Sequence, residues 1–173
     1  MPSFMKRHMN TAVSTYILMG VCGCGKSLVG SLLAAQLGGV FEDADDFHPM
    51  ENKAKMTAGI PLTDEDRWPW LRALRQRIAQ RQREAQCYVL ACSALKQAYR
   101  DVLRSGDSRE VLEFVYLKGS RELIGGRMAA RAGHYMPTSL LDSQFAILEE
   151  PADAITVSID QPPEQIVAAI LRA

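Results

Sequence analysis

"YILMGVCGCGKS", Tyr16 to Ser27, joins an apolar run of strand length to a glycine-rich turn ending in a lysine and a hydroxyl residue. Just beyond it, Leu28, Val29, Leu32, Leu33 and Leu37 recur at helical spacing until Gly38 and Gly39, where glycine commonly ends a helix. A second short strand, "VFED" at 40 to 43, comes next. Strand, loop, helix and strand in that order form the opening unit of a parallel sheet, since parallel strands must be joined by a crossover.

The same alternation continues along the chain. Strand candidates are "TYILMG" (15 to 20), "VFED", "CYVLACS" (87 to 93), "LEFVYLK" (112 to 118) and "AITVSID" (154 to 160). Between Thr63 and Arg83 an acidic first turn and Pro69 lead into Trp70, Leu71, Leu74 and Ile78, the pattern of one long amphipathic helix. The last helix starts at Pro162-Pro163 and carries Ile166, Val167, Ile170 and Leu171 as one stripe. The expected fold class is α/β, a five-stranded parallel sheet with helices on both faces. Residues 127 to 150, in "RMAARAGHYMPTSLLDSQFAILEEP", are broken by Gly133 and Pro137 and read as a mobile helical lid over the sheet's carboxyl edge.

Composition limits what such a sheet serves. A chain of 173 residues suits one core, so residues 15 to 173 are expected to form a single domain behind a flexible tail at 1 to 14. Twenty basic residues balance twenty acidic ones, which gives no general attraction to nucleic acid or to an acidic membrane. No apolar run approaches the roughly 20 residues that span a bilayer. The opening "MPSFMKRHMNTAVST" lacks the apolar core of a secretion signal. Four cysteines at 22, 24, 87 and 92 lack metal-site spacing, and reduced thiols in the cytoplasm fit them.

An anion site must then be local, and the glycine turn supplies it. Gly20, Gly25, Lys26 and Ser27 meet the pattern G-x-x-x-x-G-K-[ST] between a strand and a helix. Backbone N–H groups and the positive end of the helix converge there on one anion. Lys26 adds a point charge for the β and γ phosphates, and the Ser27 hydroxyl can ligate Mg²⁺. Gly20, Gly23, Gly25, Lys26, Ser27 and Leu28 are the expected nucleotide-binding set. Cys22 and Cys24 occupy variable positions of the loop, either as reactive thiols near a cationic nest or as inert small side chains.

A phosphate loop alone does not separate a kinase from a switch GTPase. The one candidate for the guanine-reading N-K-x-D motif, "NKAK" at 52 to 55, has Lys55 where the acid belongs. Acids gather instead in "EDADDFHP", just after the second strand. Asp43 and Asp45 are read as alternating across a strand end, one toward the metal's waters and the other toward a substrate hydroxyl whose proton it accepts. A solvated acidic turn would give the same spacing. Lys96 and Arg100 follow the third strand, and Arg127 and Arg131 open the cover segment one helical turn apart. Such cations neutralise charge on a phosphoryl group in transfer.

The combination of H-P-x-x-N-x-x-K-M, P-L-x-D-x-D-R-x-P-W-L and C-S-A-L-K-x-x-Y-R-D with the phosphate loop resembles the gluconokinases, small P-loop sugar-acid kinases. The matching stretches include "DADDFHPMENKAKMTAGIPLTDEDRWPWL", "CSALKQAYRDVLR", "LLDSQFAILEEP" and "SIDQPPEQIV", and run through most of the chain. The resemblance implies a nucleoside-monophosphate-kinase-like fold, ATP and Mg²⁺, phosphorylation of D-gluconate at its 6-hydroxyl, and a homodimer. By position it implies Asp45 as the base, Asp43 nearer the metal, and His48, Arg67, Lys96 and Arg100 around the sugar acid. Arg127 and Arg131 would close over ATP, with Gln161 near the adenine. Cys22 stands where the family commonly has serine. A kinase for shikimate or another hydroxy acid, and a nucleotide-responsive binding protein without turnover, are the competing readings.

Overall fold

The computed structural model describes residues 13 to 131 and 138 to 173. Strands β1 (Thr15–Met19), β2 (Val40–Asp43), β3 (Tyr88–Ala91), β4 (Leu112–Lys118) and β5 (Ile155–Ser158) alternate with helices α1 (Lys26–Leu37), α2 (Met50–Thr57), α3 (Asp64–Gln82), α4 (Gln97–Arg104), α5 (Arg121–Ala130), α6 (Thr138–Ile147) and α7 (Pro163–Arg172). A 3₁₀ turn, Ala44–Phe47, follows β2 directly. The sheet order is β2-β3-β1-β4-β5, with every pairing parallel. This is the α/β architecture that the alternation of apolar segments predicts.

Period-two alternation along β1 divides the core. Tyr16 and Leu18 face one side, with Val29 and Leu33 of α1, Ile124 of α5 and Ile166, Val167 and Ile170 of α7. Ile17 and Met19 face the other, with Trp70, Leu71, Leu74 and Ile78 of α3 and Tyr99 and Leu103 of α4. Both faces of β1 are therefore dry, which explains why its sequence is uniformly apolar.

Local chemistry sets the helix ends. Gly38, left-handed at φ 64, closes α1, where its N–H reaches the Ala35 carbonyl at 3.3 Å. Thr63 and Asp66 form a reciprocal capping box at the start of α3. Pro69 lies inside that helix, whose interior it enters without ending it. The carboxyl ends of the central strands all open toward the glycine loop, the edge where ligands bind in open α/β sheets.

The N-terminal tail expected over 1 to 14 falls almost wholly outside the described residues, as do residues 132 to 137 of the expected lid. Among the described residues of that segment, α6 buries Leu140 and Leu141.

Candidate active site

The loop from Gly20 to Ser27 connects β1 to α1 and forms the floor of a cleft. Gly25 sits at the N-terminus of α1 with φ 97, a left-handed backbone that disfavours a side chain. A methyl group built on it meets no atom within 4 Å, so the loop presents bare backbone to open space on the cleft side. Lys26 folds over the loop, its Nζ donating to the carbonyls of Gly20 and Val21 at 3.0 Å each. Gly23, Gly25, Lys26, Ser27 and Leu28 line the cleft, whereas Gly20 lies behind it as a partner of Lys26.

The two loop cysteines differ. Cys24 is 2 % exposed and packs in the core. Cys22 lines the cleft, but burial raises its thiol pKa more than the Lys26 charge lowers it. Of the two readings open for Cys22, the structure favours the protonated thiol.

Across the cleft, β2 ends at Asp43. Its Oδ2 accepts a hydrogen bond from the Ser27 hydroxyl at 2.8 Å, and its Oδ1 accepts one from the Asp45 backbone N–H at 2.9 Å. The expected alternation across a strand end is corrected here: Asp45 belongs to the 3₁₀ turn, and it is the turn that aims the two carboxylates differently. Asp45 keeps 66 % of its side chain accessible, yet the surrounding wall of the cleft, followed by the Asp43 charge, raises its pKa above the ordinary aspartate value. A raised pKa makes a carboxylate a better proton acceptor.

His48, next in line, is buried against Trp70, with ring centroids 3.9 Å apart and planes 16° from parallel. Its Nε2 lies 3.8 Å from Asp45 Oδ1. Burial, then the charges of Arg67 and Lys53, lower its pKa to about 4, so the ring is neutral near pH 7. Arg67 also lines the cleft and is held there by its donation to the Leu62 carbonyl at 2.7 Å and to the Tyr99 hydroxyl at 3.1 Å.

Two expected sugar-acid ligands do not reach this cleft. Arg100 is 2 % exposed and points inward, donating to the backbone carbonyls of Ala94 at 2.7 Å and Glu149 at 2.9 Å. It ties the segment after β3 to the chain beyond α6. Lys96 pairs with Asp64 at 3.0 Å, in a cluster where Tyr99 also donates to Asp64. Both residues follow β3 as expected, but their partners draw them away from the cleft lining.

The cover segment is likewise divided. Arg127 donates to the Ile159 carbonyl at 2.8 Å, and Gln161 donates to the Ser158 carbonyl at 2.8 Å, so both brace the turn between β5 and α7. Arg131 caps the end of α5 and lines the cleft. The expected pairing of Arg127 and Arg131 on one helical face is corrected: the helix stops at Ala130, and the two guanidinium groups serve different places.

Two cleft residues, and one buried behind the cleft, escaped sequence reasoning. Trp70 reads from sequence as a core residue, yet it also lines the cleft and donates from Nε1 to the Ala44 carbonyl at 2.8 Å, fixing the 3₁₀ turn. Gln144 of α6 accepts a hydrogen bond from the Cys22 N–H at 2.7 Å, placing a side-chain oxygen on the phosphate loop. Asn52 stands behind His48 at 3.2 Å. Only Asn52 carried a sequence signal, its helical spacing from His48 within "HPMEN".

A phosphate loop facing a carboxylate, a neutral imidazole and two arginines suits transfer of a phosphoryl group to a hydroxylated anion. Comparison with known proteins agrees with this geometry. A family model described as shikimate kinase matches residues 22 to 173. A mouse protein named probable gluconokinase is 45 % identical over 180 residues, covering 94 % of this chain and 98 % of its own. The thermoresistant gluconokinase of Escherichia coli strain K12 is 46 % identical over 160 residues, covering 90 % of each chain. A crystal structure of a gluconokinase from Sinorhizobium meliloti 1021 superposes with a TM-score of 0.83 at 44 % identity, covering 92 % of this chain and 90 % of that one. With relatives this similar over nearly its whole length, the chain belongs to the gluconokinase family of small P-loop kinases, within the wider shikimate kinase-like group.

Proposed function

We propose that this chain transfers the γ-phosphoryl group of ATP to the 6-hydroxyl of D-gluconate, giving 6-phospho-D-gluconate and ADP. The observation that carries the reading is the facing of Lys26 and Ser27 by Asp45 and His48 across one cleft. The gluconokinase relatives supply the identity of the acceptor.

In this mechanism the loop N–H groups and Lys26 hold the phosphates of ATP. Asp45 orients the acceptor hydroxyl and takes its proton as the oxygen–phosphorus bond forms. The bond from the γ-phosphorus to its bridging oxygen breaks, and its electron pair leaves with ADP. His48 and Arg67 bind oxygens of the sugar acid, and Arg131 offsets charge on the moving group. Arg127 and Gln161 brace the turn near which the adenine rests.

The oxygen groups of Ser27 and Asp43, 2.8 Å apart, fit Mg²⁺: Ser27 would hold the ion directly and Asp43 through water, and when bound the ion would supply charge neutralisation on the phosphates. A cytoplasmic homodimer completes the proposal, and light scattering in solution checks the dimer. No helix of the described residues is long and apolar enough to cross a membrane.

The test is ADP release by the purified protein with Mg-ATP and separate acceptors: D-gluconate, other aldonates, glucose and shikimate. Release dependent on gluconate is the expected result. Because the matching family model is described as shikimate kinase, preferential turnover of shikimate is the outcome that would replace the proposed acceptor.

A further inference from the structure

Asn52 is 3 % exposed, a polar side chain almost wholly inside the protein. Its Nδ2 makes two contacts, at 2.9 Å to the backbone carbonyl of Asp66 and at 3.2 Å to His48 Nδ1. A backbone carbonyl only accepts, so the Asp66 contact settles which end of the amide is nitrogen. That nitrogen carries two protons and no acceptor lone pair. His48 Nδ1 must therefore accept, and in a neutral imidazole the remaining proton sits on Nε2. Nε2 is the atom on the side of Asp45, 3.8 Å from its Oδ1.

We propose that Asn52 is a positioning residue that locks His48 in the neutral Nε2–H form, so that His48 donates one hydrogen bond to a substrate oxygen and takes no part in proton transfer. The role toward substrate rests on the kinase reading; the locked tautomer does not. Trp70 holds the ring plane by stacking, Asn52 fixes the proton, and Asp66 fixes Asn52. Asp66 is in turn held by Lys55 of α2 at 2.8 Å and by the capping box at the start of α3. The positioning chain thus links α2 to the start of α3.

The charged groups facing the ring are Asp45 from the 3₁₀ turn, Asp43 from β2, Lys53 from α2 and Arg67 from α3. Burial and the two cations oppose protonation, while Asp43 favours it, and the balance keeps the ring uncharged. Asp45 and His48 thereby divide their work. A substrate hydroxyl accepts from Nε2–H and gives its own proton to the carboxylate, whereas an ammonium group in the same place has no lone pair to accept with. The pair selects an oxygen over a charged amine.

Long-range proton–nitrogen NMR on the full-length protein labelled at histidine tests this directly, with His48→Gln assigning the signal among the three histidines of the chain. The expected spectrum at pH 7 shows His48 with its proton on Nε2 and Nδ1 unprotonated. In Asn52→Asp, a carboxylate replaces the donor, so the proton moves to Nδ1 or the ring becomes imidazolium, with a pKa higher by about one unit or more. The KM for the acceptor then rises roughly tenfold while the KM for ATP is unchanged. A wild-type His48 that is protonated on Nδ1, or charged at pH 7, overturns the proposal even if no variant folds. A correct tautomer in a protein that phosphorylates no sugar acid would instead refute the kinase reading and leave the lock standing.

Discussion

The Ser27 hydroxyl donates to Asp43 Oδ2 at 2.8 Å, joining the first turn of α1 to the end of β2. Two oxygen groups from separate elements thus meet at the mouth of the phosphate loop. Ser27→Ala removes one of them without disturbing the core, since Ser27 is exposed. The concentration of Mg²⁺ needed for half-maximal turnover should rise roughly tenfold or more, while the melting temperature stays near that of the parent. A magnesium titration at fixed ATP reads this, and an unchanged requirement would remove Ser27 from the metal's surroundings.

In the proposed mechanism Asp45 accepts the proton of the acceptor hydroxyl, and its substitution separates chemistry from binding. Asp45→Asn should lower kcat by about a hundredfold or more with nucleotide affinity intact. Pre-steady-state product formation and fluorescence of a bound nucleotide analogue give the two values. Near-normal kcat in the folded variant would exclude Asp45 as the base.

Arg100 distinguishes a framework cation from a substrate ligand. Its guanidinium satisfies the buried carbonyl of Ala94 and the part-buried carbonyl of Glu149, and removing it leaves both without that donor. Arg100→Ala should cost about 2 to 4 kcal/mol of stability. Any folded fraction at low temperature should keep the parent KM for gluconate. A large KM increase without destabilisation would return Arg100 to the substrate.

Glu42 on β2 is held by Arg77 at 2.9 Å and Tyr88 at 3.1 Å, with Arg81 also donating to it. Burial alone would raise its pKa, but these hydrogen bonds override burial and lower it to about 2. The unfolded carboxylate titrates near the ordinary glutamate value of 4.5, so the stabilisation is complete above that pH and is lost as pH falls toward 2. Glu42→Gln should lower stability on the order of 3 kcal/mol at neutral pH and flatten the acid limb of the profile. His48, with its pKa lowered from 6.5 to about 4, contributes in a higher window as its buried ring charges. Below pH 4 His48 is protonated in both states and drops out, while Asp66, also lowered to about 2, titrates alongside Glu42. The difference between parent and Glu42→Gln in chemical denaturation therefore reads Glu42, and an equally steep acid limb in the variant would contradict its role.

Sequence reading reached farthest where one residue's role is decided by its neighbours in the chain. The glycine loop, the helical spacing that becomes α1 and the apolar run of β1 are of this kind, and all three stand in the structure as expected. Roles decided by distant partners were not legible. Arg100 turns inward because a carbonyl 49 residues away receives it. Gln144 meets Cys22 across 122 residues, a contact no local pattern encodes. Asn52 lies between these cases. Its place one turn after His48 is visible in "HPMEN", but the direction of the hydrogen bond follows only once the Asp66 carbonyl is in view.

Transfer of phosphate to one particular hydroxyl is read from the product itself by phosphorus–proton correlation NMR. After incubation with Mg-ATP and D-gluconate, the account predicts a phosphomonoester signal coupled to the C6 methylene protons. A phosphate coupled to any other carbon, or no ester from gluconate while shikimate is phosphorylated, would contradict it.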